Sequence, residues 1–437
     1  MIKLNRKAGP GFRDINQIAI PNAQVITLDN DIKVYLIDLG SQELVKIDIL
    51  LRGGRLLEKK MLESRFTSAM IREGNIKMSG RELAEFFDYH GATLRTGSSL
   101  VYNFLSLTTM SKFFETLLPV YSELYYEPTF PEEEIVNFKK ILSDKLRLDM
   151  SKDEYVSYRL LTEAIYGSKH PYGYNTEQRY IAKIEREDIL GYYRRAFVPK
   201  HTSLIVSGKF PKNIESTMNK YFGQSSSESS NLKVPRTAES LGTQRIERKA
   251  HSIHQTSLKI GRRLFDRFHP EFPVFYILNT ILGGYFGSRL MTVIREQKGY
   301  TYNIYSMFDH LIKDGYFYIS AEVGNEYLID TVIEIYNQIE ILQSVLVTDE
   351  ELAMVKNYLM GSFLNLIDGP FNVASFYQNL LVDNYDIKDF QSFVEKLLSV
   401  TPGEIRDCAR KYLCRENMIE VFVGNEPIFN NRHQRNN

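Results

Sequence analysis

The chain has 437 residues, of which 43% are apolar, so it can bury a sizeable core and is neither a disordered nor a fibrous protein. Lysine plus arginine total 54, as do aspartate plus glutamate, and this balance gives no overall attraction to nucleic acid or to an anionic membrane surface. No run reaches the ~18 apolar residues of a membrane span and no apolar segment follows the charged N-terminus, so we expect a cytoplasmic protein of several domains.

The first part of the chain changes repeatedly between strand and helix patterns. Ser79 is a suitable N-cap for one of the helices, and Gly91 is a suitable residue to end it. The apolar periods predict, in chain order, a strand hairpin at 24–37, a strand at 44–50, helices at 62–72 and 79–89, strands at 94–96 and 101–108, helices through 110–197, and a strand at 202–207.

A polar, serine-rich segment, Gln224–Asn231, then interrupts the periodic patterns and is predicted to be a linker. The order of elements repeats after it, and residues 189–208 match residues 405–424 at one constant offset. The second set comprises a strand at 255–260, a helix at 273–282, strands at 300–308 and 316–323, helices to residue 412, and a strand at 420–423.

This repetition predicts the domain organisation and the fold class. We expect an N-terminal half at residues 1–223, a linker at 224–242 and a C-terminal half at 243–437. The class is α+β: two homologous halves, each an antiparallel-rich sheet packed with helices, form a clamshell.

The second half contains a glycine-rich run that could carry function. Gly283, Gly284 and Gly287 predict a loop with positive φ angles and close backbone approach, and Ser288 is predicted to cap a short helix. Arg295 lies near the end of that helix, and Tyr302 lies two residues into the next strand. A guanidinium and a phenol beside the loop could hold a peptide or an oxyanion, whereas the alternative is a buried turn with a surface arginine.

These residues resemble the pitrilysin and insulinase (inverzincin) family of zinc peptidases, in the branch that includes the mitochondrial processing peptidase. The resemblance runs from about Leu28 to Gly424 and is most specific at 283–302, at His170-Pro171-Tyr172-Gly173 and at 74–79. In this family the second half lends an arginine and a tyrosine to the substrate and the transition state. The resemblance assigns these supporting catalytic roles to Arg295 and Tyr302.

The resemblance also assigns substrate binding to the loop residues Gly283, Gly284, Gly287 and Ser288. The catalytic motif of the family, however, is missing. Active members carry His-x-x-Glu-His on the helix before Gly74, where two histidines bind zinc and the glutamate activates water.

Counting back from Gly74 places Arg65 and Ala69 at the two histidine positions and Ser68 at the glutamate position. The third zinc ligand of the family, a glutamate on a later helix, aligns with Lys145. A cationic pair in the pocket would repel a dication. We expect these charges to fill the space by pairing with carboxylates such as Glu63 or Asp144.

Three hypotheses for function remain open. The first is a non-catalytic subunit that pairs with a homologous chain carrying an intact His-x-x-Glu-His motif, so that the zinc is bound by the partner and this chain needs no cofactor. The second is an inactive structural or peptide-binding scaffold, possibly homodimeric. The third, an active peptidase by another route, is disfavoured by the missing ligands. The implied partners are a peptide substrate and a homologous subunit, not nucleic acid or a membrane.

Overall fold

A computed structural model of the chain describes residues 18–224, 244–249 and 254–424. The predicted linker at 224–242 lies outside these ranges except for Gln224. The first half has strands β1 Gln24–Thr27, β2 Lys33–Ile37, β3 Leu44–Arg52, β4 Thr93–Ser98, β5 Tyr102–Met110 and β6 Thr202–Gly208. Its helices are α1 Glu63–Met70, α2 Gly80–Tyr89, α3 Phe114–Tyr126, α4 Glu132–Met150, α5 Asp153–Tyr166, α6 Gln178–Lys183, α7 Arg186–Ala196 and α8 Ile214–Phe222.

The first six strands form one sheet in the order β1-β2-β6-β3-β5-β4. Each neighbouring pair is antiparallel except β2 and β6, which run parallel. β4 pairs with β5 on one side and forms an edge of this sheet, so its other side presents unpaired backbone groups.

The second half follows the same plan. Its strands are β7 Gln244–Lys249, β8 Gln255–Leu264, β9 Thr301–Leu311, β10 Asp314–Gly324 and β11 Ile419–Gly424. Its helices are α9 Phe272–Asn279, α10 Leu328–Ser344, α11 Asp349–Asn365, α12 Pro370–Asp383, α13 Ile387–Ser399 and α14 Pro402–Tyr412.

The second sheet has the order β7-β11-β8-β10-β9, again with a single parallel pair, β7 and β11. This order matches β2-β6-β3-β5-β4 of the first sheet strand for strand. The predicted α+β class and the duplication are therefore confirmed. The sequence reasoning missed α8 and β7, and β7 was missed because five of its six residues, QRIERK, are polar or charged.

Each half lends a helix to the sheet of the other. α5 packs against β8 and β11, while α12 packs against β2, β3 and β6. Tyr166 and Tyr172 of the first half share a buried cluster with Tyr316 and Val421 of the second. This reciprocal packing joins the halves through a common core, which leaves the outer edges of the sheets for other contacts.

Local signals explain several element boundaries. The Ser79 hydroxyl and the Glu82 carboxylate form a reciprocal capping box at the start of α2, and Gly91 follows it with a φ of 61°. Thr401 and Glu404 form the same box at the start of α14. Within the described ranges, no helix combines the length and the apolar character that crossing a membrane would need.

Candidate functional site

A cavity of about 650 Å³ lies in the first half between α1, α4 and the edge strand β4. Arg65 and Ala69, one helical turn apart on α1, line it together with Lys145 of α4. These are the positions aligned with the three zinc ligands of active peptidases. The structure thus brings together three of the four degenerate positions that the sequence singled out.

Ser68, the fourth position, does not line the cavity. Its hydroxyl accepts a hydrogen bond from Asn103 Nδ2 at 2.5 Å, and Asn103 also donates to Ser64 Oγ at 2.8 Å. The hydroxyl of Tyr192 donates to Asn103 Oδ1 at 2.6 Å. The position of the general base is therefore part of a buried polar network that ties α1 to β5 and α7.

Two further charged residues, Arg55 and Glu58, line the cavity, and the sequence reasoning missed both. Arg55 lies in a 3-10 turn, Gly54–Leu57, that follows β3, and Glu58 comes directly after this turn. Gly54 has a φ of 46°, and a Cβ there would meet Tyr102 N at 2.6 Å. The double glycine before Arg55 was the available signal, since it allows the sharp turn that directs this segment to the cavity.

Glu58 is held by neutral donors. The Tyr174 hydroxyl donates to Glu58 Oε2 at 2.6 Å, and the backbone N–H of Ser64 donates to Oε1 at 3.0 Å. Burial nevertheless raises the pKa of Glu58 to about 7, against the opposing effects of the Tyr174 hydroxyl and Arg55. The one carboxylate lining the cavity is thus readily protonated near neutral pH.

The predicted charge pairing in the cavity is wrong. Glu63 forms its ion pair with Arg195, and Asp144 forms its ion pair with Arg147 at 2.8 Å. Both carboxylates are engaged by arginines that do not line the cavity, because Glu63 sits at the start of α1 beside α7 and Asp144 lies on the exposed side of α4.

The side chains that line the cavity do not fit a zinc ion. Zinc sites in proteins use imidazole, thiolate or carboxylate ligands, whereas this cavity offers one carboxylate among three cations, Arg55, Arg65 and Lys145. Across the described ranges, no group of three or more histidine, cysteine, aspartate or glutamate side chains is placed to hold a metal ion.

The glycine run of the second half is built differently from the predicted loop. Thr280–Gly284 is a π-helical turn, and a second π-helical segment, Met291–Gln297, follows a short turn. Positive φ angles at Gly283, Gly284 and Gly287 were expected, but none of the three adopts one. Close approach occurs at Gly283, where a Cβ would meet Ser306 N of β9 at 2.5 Å.

The predicted loop residues divide into a buried pair and an exposed pair. Gly283 and Ser288 are buried within the chain, and Gly284 and Gly287 are exposed. The prediction that Ser288 caps a helix is wrong, because its side-chain oxygen has no hydrogen-bond partner in the described ranges. The exposed pair is the part of the run that a ligand can reach.

Phe286 projects from the same turn and is 61% exposed, and the guanidinium of Arg295 lies 4.7 Å from the centre of its ring. Tyr302, near the start of β9, is 90% exposed. The structure therefore places Arg295 against the glycine run and the Tyr302 phenol in solvent, where the pairing of β9 with β10 shifts register between Thr301 and Ile304. The sequence did not single out Phe286.

Comparison with known proteins finds one family model and several relatives similar to this chain. The family described as Peptidase M16 inactive domain matches residues 183–359, a range that includes Arg295 and Tyr302. The uncharacterized zinc protease YmxG of Bacillus subtilis is 24% identical over 412 residues, covering 92% of this chain and 98% of YmxG. These matches support the assignment of this chain to the pitrilysin-like family. At the positions of the His-x-x-Glu-His motif the chain carries Arg65, Ser68 and Ala69.

Two solved structures share the fold of this chain. A peptidase M16 inactive domain from Pseudomonas fluorescens superposes with a TM-score of 0.84 at 21% identity, covering 93% of this chain and 98% of that one. The periplasmic protease PqqL from Escherichia coli superposes with a TM-score of 0.76 at 15% identity, covering 97% of this chain and 49% of PqqL. This M16 chain thus corresponds in fold to about half of PqqL.

Proposed function

We propose that this M16 chain is the non-catalytic subunit of a heterodimeric zinc metalloendopeptidase. Its partner is a homologous chain with an intact His-x-x-Glu-His motif, which holds the zinc. This chain supplies Gly284, Gly287, Arg295 and Tyr302 to bind the peptide and stabilise the transition state. The observation that carries the proposal is the 90% exposure of Tyr302, which lies at the register shift between β9 and β10, since a phenol in solvent is available to a second molecule.

The chemistry assigned to the pair follows from charge. When a peptide carbonyl is attacked, negative charge develops on its oxygen, and a phenol O–H or a guanidinium N–H can donate to that oxygen. One such donor in a water-poor site is typically worth ~3 kcal/mol, or roughly a hundredfold in rate. Arg295, partly buried against Phe286, would also position the substrate.

Two observations support an assembly with a second chain. PqqL contains about twice the length that this chain covers, as expected if one polypeptide there takes the place of two subunits here. Ile141 and Leu148 of α4 are 63% and 67% exposed and lie two turns apart on one helix face. Exposed apolar side chains of this kind are typical of surfaces that contact another protein or a peptide.

The alternative is an inactive peptide-binding scaffold, and one observation favours it. The unpaired edge of β4 adjoins the cavity, because three residues of β4, Thr96, Gly97 and Ser98, line the cavity. An extended peptide can add to such an edge by backbone hydrogen bonds without a catalytic partner. A self-associated dimer of this chain would then replace the heterodimer.

The decisive experiment mixes this chain with a homologous chain that carries the intact motif and measures cleavage of a fluorogenic peptide. We expect cleavage to require both chains, and Tyr302→Phe to lower turnover by roughly a hundredfold. Arg295→Ala should lower turnover and also raise KM. Tyr300→Phe is the matched control, because Tyr300 lies two residues away and its ring stacks on Tyr327.

Unchanged cleavage by the mixed complex when Tyr302→Phe and Arg295→Ala are combined would show that this chain contributes shape alone and no catalytic side chain. Sedimentation that finds no complex between the two chains would refute the heterodimer directly. Metal analysis adds an independent check: the chain alone should hold far less than one zinc per molecule, and the complex should hold zinc in proportion to the partner. Stoichiometric zinc in the isolated chain, removed by a chelator with loss of stability, would contradict the proposal.

A further inference from the structure

We propose that the cavity of the first half binds a carboxylate of a peptide that lies along the free edge of β4. The proposal deepens the proposed function by giving the first half a ligand of its own. It does not depend on a catalytic partner, because every group it uses belongs to this chain.

The charges that line the cavity carry the argument. Arg55 comes from the turn after β3, Arg65 from α1 and Lys145 from α4, so three cations converge from three separate elements. Glu58 is the single carboxylate among the lining residues. The cavity is therefore positive whether or not Glu58 is ionised, which is opposite to the charge of a site built for a metal cation.

The partners of these cations leave their charge uncompensated. Arg55 Nη1 donates to the carbonyl oxygens of Tyr174 at 2.9 Å and Pro171 at 3.3 Å, and Arg65 Nη1 donates to Thr176 Oγ1 at 3.3 Å. These acceptors are neutral. In the ranges that the structure describes, none of the three lining cations has a carboxylate oxygen at ion-pair distance.

The remaining donors of both arginines can serve a ligand. A guanidinium has five N–H groups, and Arg55 and Arg65 each use one nitrogen for the bonds above. Burial lowers the pKa of Arg65, and repulsion from Arg55 contributes in the same direction. Asp149 attracts Arg65 at longer range but forms its own ion pair with Lys152 at 3.0 Å. A bound carboxylate would relieve this repulsion.

The size and the surroundings of the cavity indicate a peptide rather than a small inorganic anion. Its volume of about 650 Å³ exceeds by far the ~30 Å³ that one water molecule occupies in the liquid. The wall at Thr96–Ser98 is the unpaired edge of a sheet. On α4, Ile141 and Leu148 flank Lys145 at helical spacing, so apolar surface adjoins the charge.

The test is calorimetric titration of the isolated, full-length chain with short acetylated peptides rich in Val, Thr and Ser. One peptide carries a central Glu and an amidated C-terminus, a second replaces that Glu by Gln, and a third has the Gln and a free C-terminus. We expect at least one of the two carboxylate peptides to bind about tenfold more tightly than the neutral peptide, with an advantage that declines as salt is added. The three peptides together show which carboxylate is recognised.

Lys145→Met should remove most of this advantage. Lys145 is exposed, so the change leaves the fold intact, and circular dichroism checks this. The matched control is Lys140→Met, which removes the same charge from the exposed surface of the same helix outside the cavity. Equal binding of all three peptides, equal loss in the two variants, or inorganic phosphate binding as tightly as the carboxylate peptides would overturn the proposal.

The peptide titration and the cleavage assay of the mixed complex test the two proposals separately. Carboxylate-dependent binding together with no cleavage by any mixed complex would leave the cavity assignment standing and remove the peptidase proposal. Cleavage by the mixed complex, together with no carboxylate preference in the isolated chain, would support the peptidase proposal and remove the cavity assignment.

Discussion

The polar groups beside the cavity of the first half and those of the glycine run in the second half differ in how many hydrogen bonds they form within the chain. Around the cavity, Ser68, Asn103 and Tyr192 are nearly or fully buried and hydrogen-bonded to one another. At the glycine run, Phe286 and Tyr302 stand mostly in solvent. The first region is supported by an internal network, while the second presents its side chains outward.

This difference suggests separate roles for the two halves. The first half combines a buried polar network with a cavity lined by three cations and one carboxylate. In the second half, Tyr302, which we propose contacts a peptide, is 90% exposed. Substitutions in the buried network of Ser68, Asn103 and Tyr192 should therefore change the stability of the isolated chain, whereas substitution of the exposed Tyr302 should act mainly through a bound molecule.

The largest stability effect is expected at Asn103. Its side chain is fully buried and bonds to Ser64, Ser68 and Tyr192, so Asn103→Ala leaves several buried hydroxyls short of a partner. We expect the free energy of unfolding in urea to fall by about 3 kcal/mol. The control is Asn137→Ala on the exposed face of α4, which should change it by less than about 0.5 kcal/mol. Similar losses in both variants would show that the network contributes nothing specific.

Within the glycine run, the inner and outer glycines should behave differently. Gly283→Ala places a Cβ 2.5 Å from Ser306 N, which is backbone of β9 and cannot move cheaply, so we expect a loss of about 2 kcal/mol. At Gly287→Ala the nearest atom is Tyr285 Cε2, at 2.8 Å, and a partly exposed side chain can shift at less cost than the backbone of β9. Chemical unfolding of both variants measures the contrast, and equal losses would contradict it.

Glu58 makes the stability of the first half depend on pH below neutrality. Burial raises the pKa of Glu58 from 4.5 to about 7, so between these pH values the folded chain retains a proton that the unfolded chain has released. The contribution of Glu58 to stability is full below pH 4.5 and is lost as the pH rises to 7, by at most about 1.4 kcal/mol per pH unit. Glu58→Gln should flatten this part of the profile.

The groups facing Glu58 are Arg55, the Tyr174 hydroxyl and the Ser64 N–H, with Glu63 adding a small repulsion. Their arrangement decides how strongly the proton is held. Urea unfolding of both proteins at several pH values between 4.5 and 7 gives the difference directly. A difference that stays constant over this range would show that Glu58 is ionised throughout and that the cavity is better solvated than its geometry indicates.

The sequence predicted the duplicated α+β fold well because apolar period, caps and glycine turns are local signals. The repeat between residues 189–208 and 405–424 reflects α7 with β6 and α14 with β11. The positions of Arg65, Ala69 and Lys145 came from the resemblance to the peptidase family, the first two by counting back from Gly74 and the third by alignment with the family's third ligand. Convergence of these three residues on one cavity is what the structure adds.

The missed features depend on contacts between distant segments. Glu58 and Arg55 reach the cavity through a tight turn after β3, and their partner Tyr174 is far away in the chain. The partner of Glu63 was wrong for the same reason, since Arg195 belongs to α7 and only the packing of α7 on α1 brings it near. The π-helical geometry of the glycine run likewise comes from its packing against β9, which no local pattern reports.

The smallest change in stability is expected at Tyr302, and Tyr192, a buried tyrosine of the first half, gives the direct comparison. Tyr302→Phe removes a hydroxyl from a side chain that is 90% exposed, so the unfolding free energy of the isolated chain should change by less than about 0.5 kcal/mol. Tyr192→Phe removes a buried hydroxyl that donates to Gly54 O at 2.8 Å and to Asn103 Oδ1 at 2.6 Å, and should cost about 2 kcal/mol. If Tyr302→Phe proved as costly as Tyr192→Phe, the phenol would be serving the fold of this chain, and its assignment to a bound peptide would fail.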